Sequence, residues 1–103
     1  MSQSSIKVSN YEGEPCIEVK GEWDQAGLES LIKAFQKCVA KTNSRLYLRL
    51  ADLDYLDSAG LGVIMFNMNE LAKHQAKLVL IEPSEEILQI LRTTSLDKIL
   101  EIR

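Results

Sequence analysis

Apolar and polar residues change rhythm several times along the chain, and each change marks an element. "SIKVSN" (Ser5 to Asn10) and "CIEVK" (Cys16 to Lys20) alternate as strands with one buried face do, and "YEGEP" between them carries hairpin chemistry. From Gln25 to Val39 the period lengthens: Leu28, Leu31, Ile32, Phe35 and Val39 fall on one stripe at helical spacing. "RLYLRL" (Arg45 to Leu50) returns to strict alternation, with Leu46, Leu48 and Leu50 on one side and Arg45, Tyr47 and Arg49 on the other. One face of the sheet should therefore be wetter than its partner. A second helix is expected from Ala59 to His74, burying Leu61, Ile64, Met65, Met68, Leu71 and Ala72.

"KLVLI" (Lys77 to Ile81) is short, apolar and β-prone, a candidate central strand. "PSEEILQILRTT" sets Pro83 before a serine cap, with Glu85 and Glu86 in the first turn, where the helix dipole favours them. Leu88 and Leu91 fit its inward face, and a last strand is expected over Ile99 to Ile102. The order ββαβαβαβ predicts an α/β fold: a mixed sheet of about five strands with helices packed against it. No repeat or linker divides the sequence, so residues 1–103 read as a single domain.

Composition adds mostly exclusions. The 103 residues are 46% hydrophobic and 26% charged, ordinary globular values that argue against disorder. A net charge of −3 disfavours direct contact with nucleic acid or an anionic membrane. "MSQSSIKVSN" lacks the pattern of a secretory signal, and no apolar run approaches the roughly 20 residues of a membrane helix. Cys16 and Cys38 have no C-x-x-C spacing and read as buried free thiols in a reducing compartment. The expected location is the cytoplasm.

Candidate chemistry concentrates in "LDYLDSAGLGVIMF" (Leu53 to Phe66), where Ser58 enters the second helix. An esterase elbow needs G-x-S-x-G, and Leu56 occupies the first glycine position. His74, the only histidine, would lie about 24 Å down the same helix, too far to serve as a base. Gly60 and Gly62 lack the third glycine of a dinucleotide loop, since position 65 is Met65, and no G-K-[ST] occurs. Asp52, Asp54 and Asp57 read as turn formers and caps, without the glycine and glutamate of a calcium loop, so no metal is expected. Ser58 itself reads as an N-cap, accepting from the Gly60 or Leu61 N–H. That leaves two glycines in a first turn, where each costs nearly 1 kcal/mol relative to alanine. They are expected to clear the surface around the hydroxyl, and a helix N-terminus is a good seat for phosphate.

"DLDYLDSAGLGVI" resembles the signature of the STAS domain, in the form carried by bacterial anti-sigma factor antagonists. "GEWD" (Gly21 to Asp24) resembles that family's entry to its first helix, and "LVLIEPSEEILQILRTTSLDKILEI" its strand, helix and final strand. The resemblance implies a binding module without catalysis or cofactor. In that family the unmodified antagonist captures an anti-sigma factor kinase and frees the sigma factor. The kinase then uses ATP to phosphorylate the motif serine, here Ser58, and a phosphatase restores it. The partner surface implied here is Asp24, Asp57, Ser58, Ala59, Gly60, Leu61 and Gly62, with Asp24 and Asp57 making the rim acidic. STAS domains also serve as scaffolds and as transporter subunits, which stands as the alternative. Departures are Trp23 for a smaller aliphatic residue, Ala59 for a second hydroxyl and Ser95 for a frequent glycine. The sequence also stops at Arg103, before the C-terminal helix many members add.

Overall fold

A computed structural model describes residues 5–21 and 25–103. Its elements are β1 (Ser5–Tyr11), β2 (Glu14–Gly21), α1 (Gln25–Val39), β3 (Arg45–Leu53), α2 (Ser58–Ala72), β4 (Lys77–Ile81), α3 (Glu85–Thr93), a 3-10 turn (Leu96–Lys98) and β5 (Glu101–Ile102). The hairpin closes on two residues, Glu12 and Gly13, with φ of 51° and 80°. A two-residue loop with both centres left-handed matches the right-handed twist of its strands, and Tyr11 duly pairs with Glu14.

The strands lie in the order β1-β2-β3-β4-β5. The β1–β2 pair is antiparallel and the remaining pairs are parallel. Each parallel strand is added on the same side of the one before it, so right-handed crossovers carry every helix to one face of the sheet. The core reflects this. Leu46, Leu48 and Leu50 of β3 and Leu78 and Leu80 of β4 share one cluster with Leu31 and Phe35 of α1, Ile64 and Leu71 of α2, and Ile87 and Leu91 of α3. A row across the sheet, Ile17 beside Leu48 beside Leu80 beside Ile102, supplies its floor.

The opposite face differs from expectation at one residue. Arg45 is exposed and Arg49 half-buried, but Tyr47 is only 1% exposed. Tyr47 joins Cys16, Val79 and Ile81 in a small second cluster against Tyr11, whose ring centroid stands 4.6 Å away. Arg103 lies over the Tyr47 ring at 5.7 Å. Ion pairs border the cluster: Arg49 with Glu82 and Glu18, and Arg103 with Glu101 and Glu12. Cys16 and Cys38 are both free and buried, in different clusters on opposite faces of the sheet.

Other corrections concern faces and ends. In α2 the buried residues are Gly60, Leu61, Ile64, Asn67 and Leu71, while Met65 and Ala72 face solvent. Asn67 tolerates burial because its amide donates to the Val63 carbonyl at 2.8 Å. In α3 the inward pair is Ile87 and Leu91, and Leu88 is half-buried. The final strand begins only at Glu101, since the 3-10 turn carries the chain through Ile99. β4 is interior, flanked by β3 and β5, but β3 holds the centre. No helix among the described residues is long and apolar enough to cross a membrane.

Candidate functional site

β2 and β3 run parallel and finish together, Gly21 opposite Leu53, and the Asp54 N–H extends the pairing to the Gly21 carbonyl at 3.2 Å. Gly21 leaves the sheet at φ 82°, a left-handed conformation that favours glycine. The loop from Asp54 then turns Tyr55 outward and buries Leu56 to 3% exposure. Burying Leu56 anchors the chain just before α2, so the residues that follow start from a fixed point.

The cap is Asp57, not Ser58. Asp57 has the extended backbone of a cap residue (φ −101°, ψ −178°), and its Oδ1 accepts the Gly60 N–H at 2.9 Å. Its carbonyl takes the Leu61 N–H at 3.0 Å. An aspartate serves here because its carboxylate both bonds the orphan N–H and faces the positive helix end, which carries no other acidic residue in its first turn. Ser58 is thus the first helical residue and is exposed, and its hydroxyl makes no hydrogen bond among the described residues. The expected bond from Ser58 to the helix is replaced by one from its neighbour.

The two glycines also part company. Gly60 is buried, and a Cβ there would stand 2.6 Å from Leu56 Cδ1. Its role is to admit Leu56 beneath the first turn, not to clear the hydroxyl. Gly62 is exposed, with nothing within 4 Å of a Cβ, so it does leave open surface. Of the sequence-derived surface, Ser58, Ala59 and Gly62 are exposed, Asp57 is half-buried, and Gly60 and Leu61 belong to the core. Asp24, and with it Trp23, lies outside the described residues.

The other residues weighed from sequence fall apart spatially or take structural work. Asp52 pairs with Lys20 at 3.9 Å, both exposed, while Asp57 is spent on the cap. Among the described residues no three His, Cys, Asp or Glu side chains converge as metal ligands. His74 lies beyond the last residue of α2 and is exposed. Sequence reasoning passed over Phe66, which stands 63% exposed on α2 two turns from Ser58. Its signal was an apolar run too long for one buried face.

A family model of the STAS domain matches residues 5–103. The chain belongs to the STAS domain family. It is similar to an anti-sigma-B factor antagonist of Listeria monocytogenes, 31% identical over 87 residues that cover 84% of this chain and 76% of that protein. Among solved structures, an anti-sigma factor antagonist from Mycobacterium paratuberculosis superimposes with a TM-score of 0.85 at 22% identity, over 97% of this chain and 85% of the other. The antagonist SpoIIAA in its unphosphorylated form matches with a TM-score of 0.80 at 18% identity, covering 96% of this chain and 88% of its own. The phosphorylated form of the Bacillus protein matches at 0.74 and 17%, covering 96% and 91%. These structural likenesses establish that the STAS fold is shared across distant sequences.

Proposed function

We propose that the chain is an anti-sigma factor antagonist that works by partner switching, with Ser58 as the switch. The unmodified form binds an anti-sigma factor kinase and releases the sigma factor. Transfer of the ATP γ-phosphoryl group to Ser58 Oγ, with ADP leaving and the hydroxyl proton passing to the kinase, ends that binding. A phosphatase returns the serine. The observation that carries this reading is the placement of Ser58: exposed, first in the helix, and relieved of capping by Asp57. A phosphate there meets unbonded N–H groups and the positive helix end without displacing any structural bond. The kinship with an anti-sigma-B factor antagonist supports the role, and a related fold solved in both phosphorylated and unphosphorylated forms supports the modification.

Purified anti-sigma factor kinases of the source organism, with Mg-ATP, provide the test. Phosphate should map to Ser58 alone, and Ser58→Ala should bind the kinase without taking up phosphate. Modification at Ser84, Thr93 or Ser95 in place of Ser58 would overturn the assignment. Ser84 makes a poor acceptor in advance, since its Oγ already accepts the Ile87 N–H at 3.2 Å.

A further inference from the structure

α1 and α2 pack side by side, and an open apolar groove of about 370 Å³ runs between them, lined by Ile32 and Gln36 of α1 and by Ala59, Gly62, Val63 and Phe66 of α2. It starts at the switch: Ala59 follows Ser58 directly, and Gly62 stands one turn along the same side of the helix. The walls are exposed apolar groups, Ile32 at 37% and Phe66 at 63%. Large apolar side chains standing in water beside a modification site are the informative kind of exposure. Gly62 leaves the groove open on the α2 side, with nothing within 4 Å of where a Cβ would stand.

The chemistry of the lining narrows the occupant. A site for a small ligand aims several polar groups inward to fix its orientation. Here Asn67 turns its amide back to the Val63 carbonyl (2.8 Å), Gln36 is the one other polar side chain of the lining and stands exposed, and the rest is hydrocarbon. Shape without polar direction suits an anchoring side chain delivered by a protein whose orientation is set elsewhere. Resting on the reading of Ser58 given above, we propose that the anti-sigma factor seats one bulky apolar side chain, aliphatic or aromatic, in this α1/α2 groove. Ser58 phosphorylation then releases the partner by acting at the mouth of that seat. A phosphate brings about −1.5 to −2 charge with its hydration shell, and the dry contact next to it is lost. Ile32 and Phe66 become the residues that select among anti-sigma factors, while Ser58 decides only whether any is held.

The test begins by titrating purified anti-sigma factor kinases of the source organism against the unmodified chain and its Ser58→Asp variant. A kinase that binds the first and not the second is then measured with Phe66→Ala, Ile32→Glu and Gly62→Leu. Ile99→Glu serves as the control, at a position 57% exposed that closes the 3-10 turn and lies outside the groove lining. Phe66→Ala and Ile32→Glu should stay close to the parental melting temperature, Gly62→Leu should equal or exceed it, and all three should bind about tenfold more weakly or worse, with Ile99→Glu unchanged. Full-strength binding by folded Phe66→Ala and Ile32→Glu, with Ser58→Asp still inactive, overturns the groove and leaves the antagonist reading standing. A kinase set in which none binds the unmodified chain overturns both. A dimer of this chain that Phe66→Ala dissolves gives the groove to a second copy, which also overturns the proposal.

Discussion

At the residue scale the entry to α2 divides its work among neighbours. Leu56 anchors, Asp57 caps, Gly60 makes room for Leu56, and Gly62 keeps the surface open. The two glycines are therefore predicted to respond oppositely to the same change. Gly62→Ala gains helix propensity and meets nothing, so it should stabilise by up to about 1 kcal/mol. Gly60→Ala gains the same propensity but puts its Cβ 2.6 Å from Leu56 Cδ1. Leu56 is the tip of a side chain and can shift, yet it is buried to 3% exposure, so the shift disturbs its packing. Overpacking of this kind costs about 1–3 kcal/mol, enough to outweigh the propensity gain. Urea titrations of both variants decide it: equal signs would mean that Leu56 repacks without cost. Sequence could place both glycines in a first turn, but only the course of Leu56 beneath it separates a packing glycine from an open one.

At the element scale, periodicity was legible where apolar residues are few enough to trace a stripe. α1 starts and ends where its pattern says, and α3 opens on the Ser84 cap that "PSEE" announces. α2 defeats the same reading because Leu61, Val63, Ile64, Met65, Phe66 and Met68 surround the helix with apolar groups. Which of them is buried depends on α1 and the sheet, not on spacing, and of the two left exposed, Met65 and Phe66, only Phe66 borders the groove. The chain end was misread for another reason: Ser95 adopts φ 62°, a left-handed step that starts the 3-10 turn and delays the strand. That step also accounts for the glycine frequent in the resembled family at this position. Two serines at two helix starts make a direct comparison. Ser84→Ala removes a true cap and should cost about 1 kcal/mol. Ser58→Ala removes a hydroxyl that caps nothing, and thermal melts should find it close to neutral. A Ser58→Ala loss as large as that of Ser84→Ala would make Ser58 structural and weaken its case as a switch.

At the scale of the whole molecule, helices cover one face of the sheet and a thin layer of rings and ion pairs covers the other. Glu18 belongs to that layer. A hydrogen bond from Ser9 and, after it, the charges of Arg49 and Lys7 outweigh desolvation and hold its carboxyl below the ordinary 4.5. A lowered folded-state value stabilises the protein above the unfolded value, and that stabilisation is lost as pH falls through the folded one. Glu18→Gln should therefore be less stable than the parent at pH 7, with the gap closing progressively below about pH 4.5. A gap independent of pH would show that Glu18 acts through packing alone.

The two thiols report separately on the two faces, and so on the kind of switch proposed for Ser58. Cys38 sits among the helix-side residues and Cys16 beside Tyr47 on the other face, each buried, and burial pushes both thiols up from their ordinary value. A buried, protonated thiol is a poor nucleophile, so both should label slowly with a thiol reagent in the native state and rapidly once unfolded. The switching proposed at Ser58 would require no rearrangement of either layer, because the hydroxyl bonds nothing among the described residues and the cap belongs to Asp57. Ser58→Asp adds a favourable charge at the positive helix end, so its effect on the fold should stay under about 1 kcal/mol. Labelling rates at Cys16 and Cys38 in this variant should accordingly match those of the parent while kinase affinity falls. Faster labelling at Cys38 alone would mean that the helix layer loosens on modification, and the switch would then work by changing the fold instead of the surface.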